Sequence, residues 1–500
     1  MLQTRGFFSE RFGSFVLGLV VLITTLVAYR RTGELGLRVD ELLTIVQMDT
    51  AISEGRSILS VVFSIQQGSH FLPLSMLVNY LRYHFFHVEP AGWFATALAG
   101  HLIVVILVQR LYLRLAYHAY WGWAAACLFG VAFIHWDSVM WSYNLGLFVS
   151  AALFVLTLLA FESYARTGLR LWGVTCVAFH WLGLLNSSGL EMPVLCLLLY
   201  WWMRRKDIAR ISWFQCFTVF GFMVIGIISL TILREMMISS TRDSASNLIH
   251  FGLDSILQLP FLVAGAFYAG IAKSFIGLGG TMVPALFFLP VAILIIFLLR
   301  PPKGVVKSNY ELALMLFVMC GLLLVLAAIF RGAQPGVPFH WFINTSRYQY
   351  IPCIPAAIAA ILLFKNFHIF SETLVWPKPL GIILLFSVVV LNILGLRERF
   401  FYLLDQSQAF ERQTNEVLDE LRHVVKNHSG PVGIVDSVFY DDTSVRIGWD
   451  VRISLITKSY AHDLKENEIL FIRPGASEII TKGFPIYAFH EHSFVNINSE

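Results

Sequence analysis

Long apolar segments occupy most of this chain and constrain its fold more than any other feature of the sequence. A helix needs about 20 mainly apolar residues to cross the hydrocarbon core of a bilayer. Segments of this kind recur from residue 12 to residue 396: 12–29, 91–109, 120–136, 138–160, 171–185, 190–203, 213–233, 281–299, 311–330, 348–364 and 380–396. Their number predicts an α-helical polytopic membrane protein with about 11 transmembrane helices.

Charged residues divide the chain into two parts. About a quarter of residues 397–500 are charged, which is the usual share in soluble domains, whereas about a tenth of residues 1–396 are. We therefore predict a transmembrane domain over 1–396 and a small soluble domain over 397–500. In the second, an amphipathic helical pattern precedes short strand-like runs, which predicts an α/β fold. The helix spans about 404–427, and the runs lie at 431–440, 469–473 and 485–490.

Basic residues predict the orientation of the chain. If the N-terminus is cytoplasmic, 15 Lys and Arg residues fall in short cytoplasmic connections, and ten are spread over the longer external loops, with the tail excluded. Short cytoplasmic loops carry such an excess in membrane proteins. The alternation holds with eleven spans, provided that a further apolar stretch at 256–276 does not cross. It places a long first loop, at about 30–90, and the C-terminal domain outside the cytoplasm.

Cysteine usage and loop length indicate the compartment. The six cysteines all lie in apolar segments, so no disulfide framework is implied. Together with the short loops, this favours a bacterial inner membrane with a periplasmic tail and a role in the cell envelope. The net charge of +4 comes from scattered basic residues, which argues against nucleic-acid binding. The sequence has no glycine-rich phosphate loop and no His-Glu-x-x-His zinc motif.

The first external loop contains an acidic pair and amphipathic segments. Asp40 and Glu41 follow the first span closely. A carboxylate here is suited to accept a proton from an acceptor hydroxyl, or to bind a divalent metal with its neighbour; adjacent acids also simply favour a helix N-terminus. Apolar residues then recur at helical spacing, with Asn79 and Arg82 between them, which predicts a helix in the membrane interface. These residues are Leu74, Leu77, Val78, Leu81 and Phe85, and residues 42–65 predict one or two more such helices.

Polar residues at later external positions are further candidates, because polar groups near a membrane boundary are costly to bury. His135 and Asp137 fall in the turn between the third and fourth predicted spans, where a turn favours Asp without any function. Glu191 lies in the next external turn, where helix capping is an equal alternative. His340 lies near the start of the tenth span.

Arg347 is suited to bind a phosphate, because its guanidinium stays charged and offers five N–H donors in a fixed geometry. Its neighbour Tyr348 fits either the same site or an aromatic belt at the membrane surface. Arg331 is either a second phosphate contact or a simple flank of a span. His101 and His180 lie within spans, where a lone histidine more often bonds a neighbouring helix than a ligand.

Taken in order, these segments resemble the GT-C superfamily of membrane glycosyltransferases, and most closely its protein O-mannosyltransferase and aminoarabinose-transferase type. After the acidic pair come GSHFLPL at 68–74, VEPAGW at 88–93 and a span that ends at Arg110. The segment RYQYIP at 347–352 is similar to the Arg-Tyr-x-Tyr-x-Pro segment of that family. A turn ending at Glu191 is similar to its Lys-Glu turn, although leucine replaces the lysine. The resemblance covers about residues 12–400.

The resemblance implies an inverting hexosyl or pentosyl transferase that moves a sugar from a polyprenyl-phosphate donor to a glycan, lipid or protein acceptor outside the cytoplasm. It assigns Asp40 as the general base and Glu41 as its support, and it leaves open a divalent metal at these two residues. The donor phosphate is assigned to Arg347, Tyr348, His70 and Arg331. The residues that line the external cavity are Asp137, His135, Glu191 and His340.

Two other functions remain open from the sequence. A transporter or flippase for a lipid-linked sugar is one, although transporters place coupling charges near the midplane and here most charges lie at the ends of spans. The other is a non-catalytic membrane scaffold whose tail binds a partner.

Overall fold

The structure is a computed structural model that describes most of the helical part of the chain and the strands near its C-terminus. The described residues are 2–37, 39–64, 71–186, 193–208, 210–239, 307–327, 350–370, 378–428, 432–435, 438–439, 451–452, 469–472, 486–490 and 493–496. The predicted segments at 256–276 and 281–299 lie outside them.

Helices make up most of the described residues. In chain order they are α1 (Leu2–Tyr29), α2 (Val39–Ser53), α3 (Ile58–Val62), α4 (Pro73–Phe86), α5 (Pro90–Ala116), α6 (Ala119–Gly130), α7 (Trp136–Val139), α8 (Leu145–Thr167), α9 (Arg170–Asn186), α10 (Pro193–Ile208), α11 (Trp213–Ser239), α12 (Lys307–Ala327), α13 (Tyr350–Phe370) and α14 (Lys378–Lys426). Short 3-10 turns lie at Thr32–Glu34, Phe133–His135 and Ser142–Asn144.

The chain is an integral membrane protein. Within the described part, four helical stretches are long and apolar enough to cross a bilayer: Phe12–Glu34, Pro90–Ala116, Ser142–Thr167 and Trp213–Leu233. Their outward surfaces are apolar, as the exposed Phe12 and Phe222 illustrate, because a span satisfies its backbone internally and presents side chains to lipid. The total of about 11 spans stays a prediction.

Two predicted boundaries are wrong. The third predicted span, 120–136, ends early, because α6 stops at Gly130 and residues 131–144 form short turns around α7. The predicted span at 380–396 and the predicted helix at 404–427 are one continuous helix, α14. Charges at Arg397, Glu398 and Arg399 mark a change in polarity, but the sequence has no Gly or Pro from there to the end of the helix. Charged residues of these types favour helix, so nothing local ends it.

One compact unit, unit 1, comprises residues 1–32, 62–78 and 94–399. In it α8 packs against α9, α12 against α13, and α6 against both α1 and α13. Gly130 permits the close approach of α1 and α6, because an added Cβ there would lie 2.7 Å from Thr25 Oγ1. Small residues commonly serve this purpose between helices in membranes.

A second compact unit, unit 2, comprises residues 33–61, 79–93 and 400–500. Its first core joins residues that are distant in sequence. The buried members are Leu37, Leu42, Ile45, Trp93, Phe410 and Leu418. Burial of each such side chain contributes about 1.5–3 kcal/mol, so this core fixes α2 and the start of α5 against the middle of α14.

Strands complete unit 2. They are β1 (Val432–Val435), β2 (Val438–Phe439), β3 (Val451–Arg452), β4 (Ile469–Ile472), β5 (Ile486–His490) and β6 (Ser493–Asn496). The main sheet has the order β4-β1-β5-β6, with β1 parallel to both of its neighbours and β6 antiparallel to β5; β2 pairs with β3. The end of α14 packs on β1 through Leu421 and Ile434. β1, β2, β4 and β5 lie within the predicted runs, whereas β3 and β6 lie outside them. A separate soluble domain that begins at 397 stays a prediction.

Candidate functional site

The predicted acidic pair occupies the first turn of α2. Asp40 is the second residue of this helix, and its side chain lies outside the described part. The side chain of Glu41 is fully buried. Leu42 and Ile45 pack into the first core of unit 2, which fixes the rotation of α2 about its axis. The acids therefore lie at a defined position on a rigid element rather than on a loose loop.

The interfacial helix α4 presents its polar side inward. Asn79 and Arg82, one turn apart, are buried, whereas Leu81 and Phe85 are exposed. A helix in water has the opposite arrangement. An outward apolar side suits a helix that lies against lipid, and the predicted interfacial placement explains the pattern.

Arg82 is held by several contacts within unit 2. Its Nη2 donates to the Trp93 carbonyl oxygen at 2.8 Å, and its Nη1 donates to Asn79 Oδ1 at 3.2 Å. Its Cζ lies 4.1 Å from the centroid of the Trp93 ring. Trp93 is itself fixed, because its indole N–H donates to the His87 carbonyl oxygen at 2.8 Å. These contacts are the ones that a planar guanidinium makes best.

Arg82 and Glu41 interact electrostatically. Burial lowers the pKa of Arg82 to about 9, and the nearby Glu41 carboxylate opposes this change. The guanidinium therefore stays charged at neutral pH. Two donors on this face, Arg82 Nε and Asn79 Nδ2, are buried and have no hydrogen-bond partner among the described residues.

The exposed edge of this region holds a further hydrogen bond, from Tyr83 Oη to Asp49 Oδ1 at 2.8 Å. Burial raises the pKa of Tyr83, and the hydrogen bond to Asp49 and the charge of that carboxylate add to the effect. Tyr83 therefore remains a neutral donor throughout the physiological range. The bond joins the last turn of α2 to α4.

The buried charged residue that sequence reasoning did not single out as a candidate is Arg82. The helical pattern of α4 placed it between apolar positions and predicted a helix in the membrane interface, without a role for this arginine. One sequence signal was available: Arg82 lies one turn after Asn79, so these two polar side chains share a helix face that excludes Leu81 and Phe85. Its partner Glu41 lies in another helix, so spacing along the chain gave no indication of the pair.

In unit 1, the predicted cavity residues His135 and Asp137 lie in a buried polar segment rather than an exposed turn. Both are buried, as are three other polar residues of 131–144: Ser138, Ser142 and Asn144. Asn144 Nδ2 donates to the Asp137 carbonyl oxygen at 3.0 Å. The Phe133 backbone N–H donates to Asn392 Oδ1 of α14 at 2.6 Å. The segment is therefore held by side chains that replace the backbone bonds of a regular helix.

A histidine and a tyrosine fix the start of α13. His101 Nε2 lies 2.9 Å from the Gly130 carbonyl oxygen, which can only accept, so this nitrogen carries a proton. In the neutral ring Nδ1 then accepts the O–H of Tyr350, at 2.6 Å. The Tyr350 ring also packs on His135, with centroids 4.5 Å apart. The sequence prediction that His101 bonds a neighbouring helix is confirmed.

The predicted donor site lies outside the described residues, as do two of the predicted cavity residues. The donor residues are Arg347, Tyr348, His70 and Arg331, and the cavity residues are Glu191 and His340. No group of three or more His, Cys, Asp or Glu side chains is placed to hold a metal within the part of the chain that is described.

Among solved structures, the chain is similar to ArnT from Cupriavidus metallidurans bound to undecaprenyl phosphate. The alignment covers 91% of this chain and 85% of that one at 13% identity, with a TM-score of 0.43. The apo structure of the same protein aligns over 92% and 86%, at 12% identity and a TM-score of 0.37. No family model and no curated protein sequence matches the chain.

The buried charges of Glu41 and Arg82 can be tested as a pair. Arg82→Met should lower the free energy of unfolding by about 1–3 kcal/mol, because the buried Glu41 loses the attraction of a nearby cation. Glu41→Gln combined with Arg82→Met should recover most of that loss. Denaturant unfolding of the purified protein in detergent measures both values. If the double variant is no more stable than Arg82→Met, the two side chains are not coupled.

A matched control for this cycle is the exposed pair Arg422–Asp419, in which Arg422 Nη1 lies 3.0 Å from Asp419 Oδ1. Exposed ion pairs contribute at most about 1 kcal/mol. Arg422→Met should therefore change the free energy of unfolding far less than Arg82→Met.

Two buried tyrosines of unit 1 test the hydrogen bond to His101. Tyr350→Phe should lower the free energy of unfolding by about 1–3 kcal/mol, because His101 Nδ1 loses its donor while it remains buried. Tyr112 is equally buried, but its hydroxyl has no hydrogen-bond partner among the described residues. Tyr112→Phe should therefore be neutral or stabilising in the same unfolding experiment. Equal losses in the two variants would show that the His101 bond contributes nothing.

Proposed function

We propose that this protein is a glycosyltransferase that moves a sugar from a polyprenyl-phosphate donor to an acceptor at the extracytoplasmic surface of the membrane. The observation that carries the proposal is the acidic pair in the first turn of α2. Glu41 is buried and interacts electrostatically with Arg82, and Asp40 precedes it on the same helix. A general base needs this kind of fixed position close to the acceptor hydroxyl.

In the proposed reaction, Asp40 accepts the proton of the acceptor hydroxyl as its oxygen attacks the anomeric carbon. The bond from that carbon to the phosphate oxygen breaks, and the polyprenyl phosphate leaves with the bonding electrons. A single displacement inverts the configuration of the sugar. The sugar–phosphate bond is already activated, so the protein has to supply positioning, a base and stabilisation of the leaving charge.

Glu41 fits a supporting role better than that of a metal ligand. Its carboxylate is buried and already interacts with the Arg82 cation. A second cation bound at the same carboxylate would be repelled by the positive charge of Arg82. We therefore assign Glu41 to fixing the first turn of α2 and leave any divalent metal to Asp40 and groups of the substrate.

The donor phosphate is assigned to Arg347 and Tyr348, with His70 and Arg331 as further contacts. The hydrogen bond between Tyr350 and His101 supports this assignment, because it fixes the chain three residues after Arg347. On the acceptor side, Asn79 Nδ2 and Arg82 Nε offer buried donors that suit a sugar hydroxyl or a phosphate oxygen. Asp137, His135, Glu191 and His340 keep their proposed place around the external cavity.

The alternatives are a flippase for the lipid-linked sugar and a non-catalytic scaffold. A radiolabelled polyprenyl-phosphate sugar in proteoliposomes separates the three. Label that moves to an acceptor supports the transferase, label that only crosses the bilayer supports the flippase, and label that does neither supports the scaffold.

Asp40→Asn should abolish transfer, by a factor of about 100 or more, because the acceptor hydroxyl loses its general base. Initial rates with a lipid-linked donor and purified protein measure this effect. The matched control is Asp49→Asn, which removes an exposed carboxylate from the other end of the same helix and should retain near-normal rates. Near-normal turnover in a folded Asp40→Asn protein would rule out the catalytic assignment.

Arg347→Ala should mainly weaken donor binding, because the guanidinium is assigned to the phosphate. We expect a rise in donor KM of about tenfold or more, as for the loss of one charge-assisted hydrogen bond. Arg56→Ala, at an exposed arginine of the first loop that pairs with Glu54, is the control and should leave KM unchanged. An unaltered donor KM in Arg347→Ala would refute the phosphate role.

A further inference from the structure

Arginines collect at the end of unit 1 where α5, α8 and α10 finish and α11 begins. The backbone N–H of Arg210 donates to the Ala165 carbonyl oxygen at 2.7 Å, which brings the α10–α11 connection to the end of α8. The arginines of this basic end are Arg110, Arg114, Arg166, Arg170, Arg204, Arg205 and Arg210. The acids in the same segments are only Glu162 and Asp207. The region therefore carries a surplus of positive charge.

The buried acid at this end is already paired. Arg114 Nε donates to Glu162 Oε2 at 2.7 Å, and Arg166 Nε donates to the other carboxylate oxygen. Arg114 also reaches Ser163 Oγ at 3.2 Å. Glu162 is buried and neutralises one of these two guanidinium groups, so this end of unit 1 keeps a surplus of positive charge.

Two donors on one face of α10 have no such anion within the described chain. Trp201 is almost fully buried, and its Nε1 has no hydrogen-bond partner among the described residues; the same is true of the buried Nη1 of Arg205. The two residues are four apart, so their side chains lie on the same face of the helix. The Arg205 guanidinium is fixed, with its Cζ 3.7 Å from the centroid of the Trp202 ring. Buried donors without acceptors are costly, which indicates that a ligand supplies the acceptor.

The surroundings of these donors are apolar and face outward. Trp213 stacks on Phe217, and its ring centroid lies 4.1 Å from that of Trp201. The neighbouring Phe214 is 81% exposed, and Trp202 is 56% exposed. The apolar stretch that begins at Trp213 is long enough to cross a bilayer. The basic end therefore lies where a span meets the membrane surface, at the depth of lipid headgroups.

We propose that the basic end of unit 1 binds an anionic phospholipid, whose phosphate accepts hydrogen bonds from Arg205 and Trp201 and whose acyl chains cover Trp213 and Phe214. The surplus of arginine selects a lipid with net negative charge. The exposed rings favour a lipid over a free phosphate, because an inorganic ion leaves them uncovered. This binding is independent of the proposed sugar transfer.

Native mass spectrometry of the full-length protein tests the proposal. Phosphatidylglycerol and phosphatidylcholine with the same acyl chains compete for the protein, and the fraction of each that stays bound is measured. We expect phosphatidylglycerol to be retained at least about fivefold better, as for the attraction of one arginine or more to an anionic lipid. Equal retention of the two lipids overturns the proposal without the use of any variant.

Arg205→Gln and Arg210→Gln form a matched pair, because each removes one charge from the same end. Arg205→Gln should lower the retention of phosphatidylglycerol by about tenfold or more, since it removes a charge-assisted hydrogen bond. Arg210 has an exposed side chain, so Arg210→Gln should lower retention by no more than about fivefold, and this effect should fade at high salt. Equal effects of the two variants at high salt would contradict the site.

Competition with inorganic phosphate shows whether the bound anion is a lipid headgroup or a free phosphate ion. Added at millimolar concentration, it should leave bound phosphatidylglycerol in place. Displacement of the lipid by inorganic phosphate would show that the donors bind a free anion, and the proposal would fail.

Discussion

The burial of two opposite charges within unit 2 is the interaction on which the proposed active site depends. A fully buried carboxylate such as Glu41 is tolerated only when a cation or several donors compensate for its lost hydration. Arg82 is a buried cation whose charge attracts Glu41, and Trp93 holds Arg82 through its ring and its carbonyl oxygen. The packing of Leu42 and Ile45 holds the first turn of α2 in place, and the charge of Arg82 adds to its stability.

Buried polar groups are compensated by specific side chains in unit 1 as well, where polar side chains replace regular backbone hydrogen bonds. Residues 131–144 connect α6 to α8 without a long helix. The Phe133 N–H and the Asp137 carbonyl oxygen are instead paired with the side chains of Asn392 and Asn144. The ring of His101 links α5 to two other helices. It donates to the Gly130 carbonyl oxygen at the end of α6 and accepts from the Tyr350 hydroxyl at the start of α13. In a membrane, where water is scarce, each of these bonds replaces one that solvent supplies elsewhere.

Much of this arrangement could be predicted from the sequence, and the rest depended on contacts between distant segments. Long apolar runs predicted the helices of the membrane part, and short strand-like runs predicted β1, β2, β4 and β5, because both are local patterns. The continuity of α14 was missed because a change from apolar to charged residues resembles a helix end. The Glu41–Arg82 pair was missed because amphipathic spacing shows that a helix has two sides but not which of them is buried. The roles of Asp40 and Arg347 stay predictions, since their side chains are not described.

The first core of unit 2 also sets the order in which the protein can be completed. Leu42 and Trp93 are made early, whereas their partners Phe410 and Leu418 follow more than 300 residues later. Translation adds about 5–20 residues per second, so Leu42 and Trp93 wait roughly 15–60 s before Phe410 and Leu418 are made. During this interval the apolar loop has to be sheltered by lipid or by the insertion machinery. The acidic pair therefore acquires its final environment only once the last fifth of the chain has been synthesised.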